Sequence, residues 1–188
     1  MNFKSHKKKW IECERCDLCN TRKRVVLGRG KIPADILFIG EAPGRAEDVL
    51  GQSFVGPAGK ELDDEIQTAV DKCGLQESPR LAFTNLVGCM PLDEMGKKNS
   101  APPKESIKEC KPRLIEFINL CNPMVVIAVG ELPKKELIKL RLEEEVEWEL
   151  KAITHPARIL RADISQQGLM RQRNIISIQD VIEDLLNA

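Results

Sequence analysis

Three short hydrophobic runs constrain this chain more than any other feature. DILFIG (35–40), LAFTNLV (81–87) and MVVIAVG (124–130) are continuous rather than alternating, and the first and third end in glycine. A strand with one wet face alternates polar and apolar side chains. An unbroken apolar strand must be covered on both faces, the condition of a parallel sheet between helices. Between the runs the apolar spacing turns helical. Leu62, Ile66, Ala69, Val70 and Cys73 recur with that period up to Gly74, and Ile107, Leu114, Phe117, Ile118 and Cys121 follow Pro102 and Pro103. A short helix is predicted over 131–140, and Ile178, Val181, Ile182, Leu185 and Leu186 mark a last one. VEWELKAIT (146–154) reads as a fourth strand. The expectation is a three-layer α/β/α fold with a central, mostly parallel four-stranded sheet, as one domain over residues 1–188.

In such sheets ligands bind beyond the carboxyl ends of the strands. GEAPG (40–44) follows the first strand, Asn85 lies near the end of the second, and His155-Pro156 follows the fourth. These segments are expected to meet on one edge.

Seven cysteines in a chain of 188 residues point to metal or redox chemistry if the chain is intracellular. Cys13 and Cys16 form a CERC pair, while Cys89 and Cys110 are separated by 20 residues. Thiolates hold iron–sulfur clusters in sets of four, commonly with one tight pair. Four-cysteine zinc sites also begin with CxxC, but a second tight pair would suit zinc better than ligands spread this far apart. Cys19 extends the motif to CxxCxxC and is an alternative ligand. Cys73 and Cys121 fall on apolar helix faces and read as ordinary reduced cysteines.

Charge bears on partners. Lys and Arg total 29, as do Asp and Glu, which weighs against binding nucleic acid over the whole surface. The distribution is uneven, however. The first 31 residues are rich in Lys and Arg, and a second basic group comprises Arg158, Arg161, Arg171 and Arg173, so one face can be basic. No apolar run approaches 18 residues, and MNFKSHKKKWIE lacks the apolar stretch of a secretory signal. A cytoplasmic protein without membrane association is expected.

The segment GEAPGRAEDVLGQSFVGPAG (40–59) has no helical or strand period. Phe54 within it is either a core plug or a plate on which a flat ligand stacks. Asn85 is either a turn cap or a reader of an amide-containing base through paired donor and acceptor. His155 is either structural or a proton donor at the strand ends.

CERCDLCNTRKRVVLGRG, DILFIGEAPGRAEDVLGQSFVGPAG, TNLVGCMP, the later Cys110, VIAVG and THPARILR together resemble the iron–sulfur uracil-DNA glycosylases of the fourth, thermostable-type family. The resemblance covers nearly the whole chain and implies a doubly wound α/β fold with a [4Fe-4S] cluster. It implies Cys13, Cys16, Cys89 and Cys110 as ligands. Gly40, Glu41 and Ala42 become the turn against an extruded uracil, Phe54 its stacking plate, Asn85 the reader of its edge, and His155 the donor to O2. Glu47 takes the place that crowds C5 and disfavours thymine. Glu41 and His155 are the implied catalytic pair. Ile159 or Leu160 would be the wedge that fills the vacated stack, with Arg158 and Arg161 on phosphates. The chain departs from the family at Ser53, where proline is usual, and in the long stretch between Cys89 and Cys110. The implied activity is monofunctional: a monomer flips deoxyuridine out of uracil-containing DNA, single- or double-stranded, and hydrolyses its N-glycosidic bond. The alternative is a catalytically weak iron–sulfur module that binds DNA as a lesion sensor or replication accessory.

Overall fold

The computed structural model describes residues 2–187 apart from 76, 94, 95, 97–99 and 145. Four parallel strands form the centre: β2 (Ile36–Gly40), β3 (Leu81–Asn85), β4 (Val125–Val129) and β5 (Glu149–Ile153). A fifth, β1 (Arg29–Gly30), runs antiparallel along β3, and the sheet order is β1-β3-β2-β4-β5. The expected four-stranded sheet therefore gains a two-residue edge strand, too short to leave any period in the sequence.

Burial explains which strands were easy to read. Every residue of β2 and β4 is buried, so both are apolar throughout. Alternate residues of β2 serve opposite layers. Ile36 and Phe38 pack with Leu62, Ile66, Val181 and Ile182 of α3 (Pro57–Cys73) and α7 (Ile164–Leu186). Leu37 and Ile39 pack with Leu114, Phe117 and Leu137 of α4 (Lys104–Cys121) and α5 (Glu131–Glu144). A smaller cluster gathers Trp10, Leu18, Val25, Leu27, Val87 and Cys89 at the N-terminal arm, beside Cys13, Cys16 and Cys110.

Three helices were not expected. α1 (Phe3–Trp10) docks on α4 through both ring packing and polar contacts: Phe3 and His6 pack on Phe117, while the Glu116 carboxylate accepts from Trp10 Nε1 at 2.6 Å and from Lys9, and lies 3.3 Å from His6 Nδ1. α2 (Arg45–Leu50) and α6 (Pro156–Arg161) are single short turns beside the strand ends. No helix among the described residues is long and apolar enough to cross a membrane.

The chain runs from β2 through α3 to β3 on one side, then returns through α4 to β4 on the other. The connections after β2 and β4 therefore diverge, and the crevice they open is where such sheets take ligands.

Candidate active site

A cavity of about 1390 Å³ occupies that crevice, and Glu41, Ala42, Glu47, Phe54, Asn85 and His155 all line it. Gly40 stands behind them, paired with Asn85 across the sheet. The convergence expected from the strand ends is thus present.

Glycine is required at position 40 by close approach. A Cβ there would lie 2.5 Å from Asn85 Oδ1 and 2.6 Å from Phe54 Cζ. The missing side chain lets the Phe54 ring and the Asn85 carboxamide come together over the end of β2. Phe54 itself has φ 53, a left-handed conformation that costs a non-glycine residue about 1–3 kcal/mol unless its surroundings enforce it. Here they do. Arg29 donates to the Ser53 carbonyl at 2.9 Å and to the Phe54 carbonyl at 3.4 Å, and Gly59 packs so closely on Phe54 that a Cβ would fall 2.1 Å from its oxygen. The ring is 7% exposed, lies 5.9 Å from that of Phe83, and still lines the cavity. The ring therefore belongs to the core and to the cavity wall at once.

Glu47 is buried, and both carboxylate oxygens are committed to the backbone. They accept from Gly44 N at 3.1 Å, Val55 N at 3.0 Å and Gly56 N at 2.8 Å. Glu47 is thereby a clasp that closes the 44–56 loop around the cavity, and it lines the cavity as well, the position from which the expected crowding of a base at C5 would act. Its neighbour Asp48 does similar work, accepting from Lys23 N at 2.9 Å and tying α2 to the N-terminal arm.

His155 caps α6. Its Nδ1 accepts from Ala157 N at 3.1 Å, so Nδ1 carries the lone pair and a neutral ring carries its proton on Nε2. Burial, reinforced by the Arg161 cation, lowers the His155 pKa and favours that neutral form. The side chain is thereby fixed as an Nε2–H donor. Gly130, at φ 106, ends β4 beside it, and a Cβ there would lie 3.2 Å from the His155 Cβ. Burial raises the pKa of Glu41, which is half-buried on the cavity wall.

On α6, Arg158, Leu160 and Arg161 line the mouth of the cavity and are exposed. Ile159 is fully buried, which corrects its place among the DNA-contacting residues: of the two wedge candidates only Leu160, 40% exposed, stands on the surface. Lys134 also lines the mouth and was missed. Its only sequence signal is its place in a helix that starts directly after the glycine closing β4. Behind the wall, Asn174 Oδ1 accepts from Thr154 N at 2.8 Å, while its Nδ2 donates to Thr154 O at 2.9 Å and to Glu65 at 3.0 Å. The residue before His155 is thus held by a partner on α7 that no local pattern could indicate.

The four expected cysteines come together at one end of the N-terminal arm. Cys13, Cys16 and Cys110 pack against the cluster that contains Cys89. Burial pushes the Cys89 thiol up to about 12, and the Cys110, Cys16 and Cys13 sulfurs add to the effect. No group of three or more His, Cys, Asp or Glu among the described residues has the geometry of a single metal ion. Four cysteine thiols gathered by the fold are the donor set that an iron–sulfur cluster takes. Cys19 Sγ instead faces Asn20 Oδ1 at 3.5 Å, and Cys121 is buried under the sheet. The long stretch between Cys89 and Cys110, where the sequence departs from the resembled family, lies partly outside the described residues.

The family model of the uracil DNA glycosylase superfamily matches residues 27–175. The type-4 uracil-DNA glycosylase of Pyrobaculum aerophilum is 32% identical over 166 residues, 79% of this chain and 80% of that protein. That of Archaeoglobus fulgidus is 30% identical over 167 residues, 80% and 79% of the two chains. Among solved structures, Pedobacter heparinus SMUG2 superposes with a TM-score of 0.61 at 16% identity, covering 82% of this chain and 77% of that one. At that identity the superposition speaks for the fold alone.

Proposed function

Because the chain belongs to the uracil DNA glycosylase superfamily, and within it to the type-4 uracil-DNA glycosylases, we infer that it excises uracil from DNA. The reaction hydrolyses the N-glycosidic bond of deoxyuridine and opens base excision repair. The observation that carries this reading is the meeting of Phe54, Asn85 and a neutral, Nε2-protonated His155 on one cavity at the sheet's carboxyl edge.

A base inside a duplex cannot reach this cavity, so the nucleotide must first leave the stack. Arg158, Arg161 and Lys134 at the mouth suit phosphate contacts, and Leu160 suits the wedge that fills the gap. The extruded ring stacks on Phe54. Among the described residues the Asn85 carboxamide bonds to no protein group, and it offers an acceptor to uracil N3–H and a donor to O4. Cytosine presents the reverse pattern and would leave both groups unpaired. As the N1–C1′ bond breaks, its electron pair moves onto uracil and the sugar becomes cationic. His155 Nε2–H meets the charge growing on O2, an interaction that strengthens only along the reaction path. Water adds to C1′, and the proton it gives up neutralises the departing uracil anion. Among the described residues no backbone amide bonds to the Glu41 carboxylate, unlike that of Glu47, and as an anion Glu41 steadies the sugar cation. Ala42 supplies no second acid beside it.

Cys13, Cys16, Cys89 and Cys110 would hold a [4Fe-4S] cluster. When bound, it supplies a structural staple between the N-terminal arm and the segment carrying Cys89 and Cys110. The protein then works as one domain over 1–188 and as a monomer on uracil-containing DNA.

The test is a labelled oligonucleotide carrying one deoxyuridine, treated with protein and then alkali. Strand scission at that position, and none on oligonucleotides with dC or dT there, is expected. Brown, folded protein that leaves the deoxyuridine intact would overturn the reading.

A further inference from the structure

Arg113 is a deeply buried charged side chain near the site, at 1% exposure. A guanidinium has five N–H donors, and all of them find acceptors here. Nε donates to Cys110 Sγ at 3.1 Å. Nη1 donates to Leu27 O at 3.4 Å and Thr84 Oγ1 at 3.1 Å. Nη2 donates to Asn85 O at 2.5 Å and Leu86 O at 3.1 Å. None of these acceptors is a carboxylate.

A buried cation without a counter-charge is expensive to keep in the interior. Four of its acceptors are neutral. The fifth, Cys110 Sγ, becomes a thiolate when it ligates iron, and an iron–sulfur cluster on four thiolates is anionic. Among the described residues no carboxylate pairs with this arginine, and a bound cluster would be its counter-charge. The other end of the guanidinium grips the chain at the point where β3 leaves the sheet, at the carbonyl of Asn85 itself.

We propose that Arg113 is a positioning residue that couples the cluster to base recognition, one guanidinium setting both the electronics at Cys110 and the seat of Asn85 in the cavity. This rests on the assignments just made for Asn85 and the four cysteines. The N–H···S bond and the nearby cation stabilise added electron density on the cluster, because hydrogen bonds to sulfur and net charge set such potentials. The Nη2 bonds fix the backbone from which the Asn85 carboxamide projects.

The experiment compares anaerobically purified wild type, Arg113→Lys and Arg113→Met, each with iron and protein quantified. The cluster's midpoint potential is measured by redox titration, and single-turnover cleavage of a uracil oligonucleotide is measured at saturating enzyme beside a DNA-binding titration. The potential should move to more negative values in both variants, further in Arg113→Met. The cleavage rate per cluster-loaded protein should fall about 10–100-fold with DNA affinity unchanged, the range typical of partners that orient a metal ligand. If Arg113→Met does not fold, Arg113→Lys, which keeps charge and stem, carries the test. An unmoved potential overturns the proposal, and so does a full cleavage rate per loaded protein. A wild type that holds iron but does not cleave would instead sink the glycosylase reading, leaving the potential shift to be judged on its own.

Discussion

The proposed function gives His155 two tasks for its two nitrogens, and substitution can separate them. Nδ1 accepts from Ala157 N and caps α6, while Nε2–H would serve the reacting base. His155→Ala removes both. The cap is worth about 1 kcal/mol, as for other side-chain caps, which in a protein of this length lowers Tm by about 2–4 °C. The donor is worth about 2.7–4 kcal/mol in the transition state, or roughly a hundred- to thousandfold in rate. His155→Asn distinguishes the two: its Oδ1 can cap the Ala157 amide, but its short side chain does not carry a donor to where Nε2 stood. The expected result is a large rate loss in both variants, with Tm restored only in Asn. Single-turnover cleavage at saturating enzyme gives the rate, a binding titration shows that affinity is retained, and thermal melts give Tm. A His155→Asn protein that cleaves at the wild-type rate would show that capping was the whole contribution and remove His155 from the chemistry. Acid offers an independent check. Protonation of Nδ1 would place a donor against the Ala157 N–H, so the cleavage rate should hold through neutral pH and fall in acid, below the ordinary histidine range because burial and Arg161 depress the pKa.

Other outcomes follow from the same geometry. Cys13→Ala or Cys110→Ala should abolish the brown colour and lower Tm, because a group bound only by the native state adds its binding energy to stability; Cys73→Ala should change neither, and zinc without iron in wild-type protein would refute the cluster. Asn85→Ala should lose most uracil cleavage while keeping its affinity for undamaged DNA, and unchanged excision would exclude it as the reader. Glu65 is buried and its pKa is raised to about 7 by that burial. The native state therefore holds a proton that the unfolded state releases near pH 4.5, so this group's contribution to stability declines between about pH 4.5 and 7, by at most about 3 kcal/mol. Glu65→Gln should flatten the Tm profile over that window; an unaltered slope would mean that Glu65 does not titrate there. Glu47→Ala should free three loop amides and raise the KM for uracil DNA, and an unaffected KM would show that the loop keeps its shape without the clasp.

What could be read from the chain alone follows the range of the interactions. β2 and β4 were legible because full burial leaves an unmistakable apolar run, and the convergence of Gly40, Asn85 and His155 followed from strand direction. β5 was placed three residues too early, since its outer position exposes Glu149 and weakens its pattern. α1 was invisible because only His6 and Trp10 are buried in it, and its docking partner Glu116 lies 106 residues beyond Trp10. The family resemblance places Glu47 beside the base, but only the fold shows the amides of Val55 and Gly56 on its carboxylate. Ile159 and Leu160 are adjacent and chemically alike, so only helix phase decides which one faces solvent. Asn174 and Arg113 act through backbone atoms of distant segments, a kind of contact that leaves no local trace.

The interlock of Gly40, Phe54 and Gly59 bears on how this pocket can change over evolutionary time. A side chain at 40 would collide with the Phe54 ring and Asn85, and one at 59 would collide with the Phe54 backbone. The cost of altering one position thus depends on what occupies another. Shortening Phe54 relieves part of the pressure at 40, leaving the Asn85 contact, but relieves none at 59, where the obstacle is main chain. Such epistasis makes single steps toward a differently shaped base pocket deleterious even where a combination is tolerated. On the reading proposed for Asn85, new base specificity is then more accessible through that side chain, which can vary without moving the Phe54 backbone.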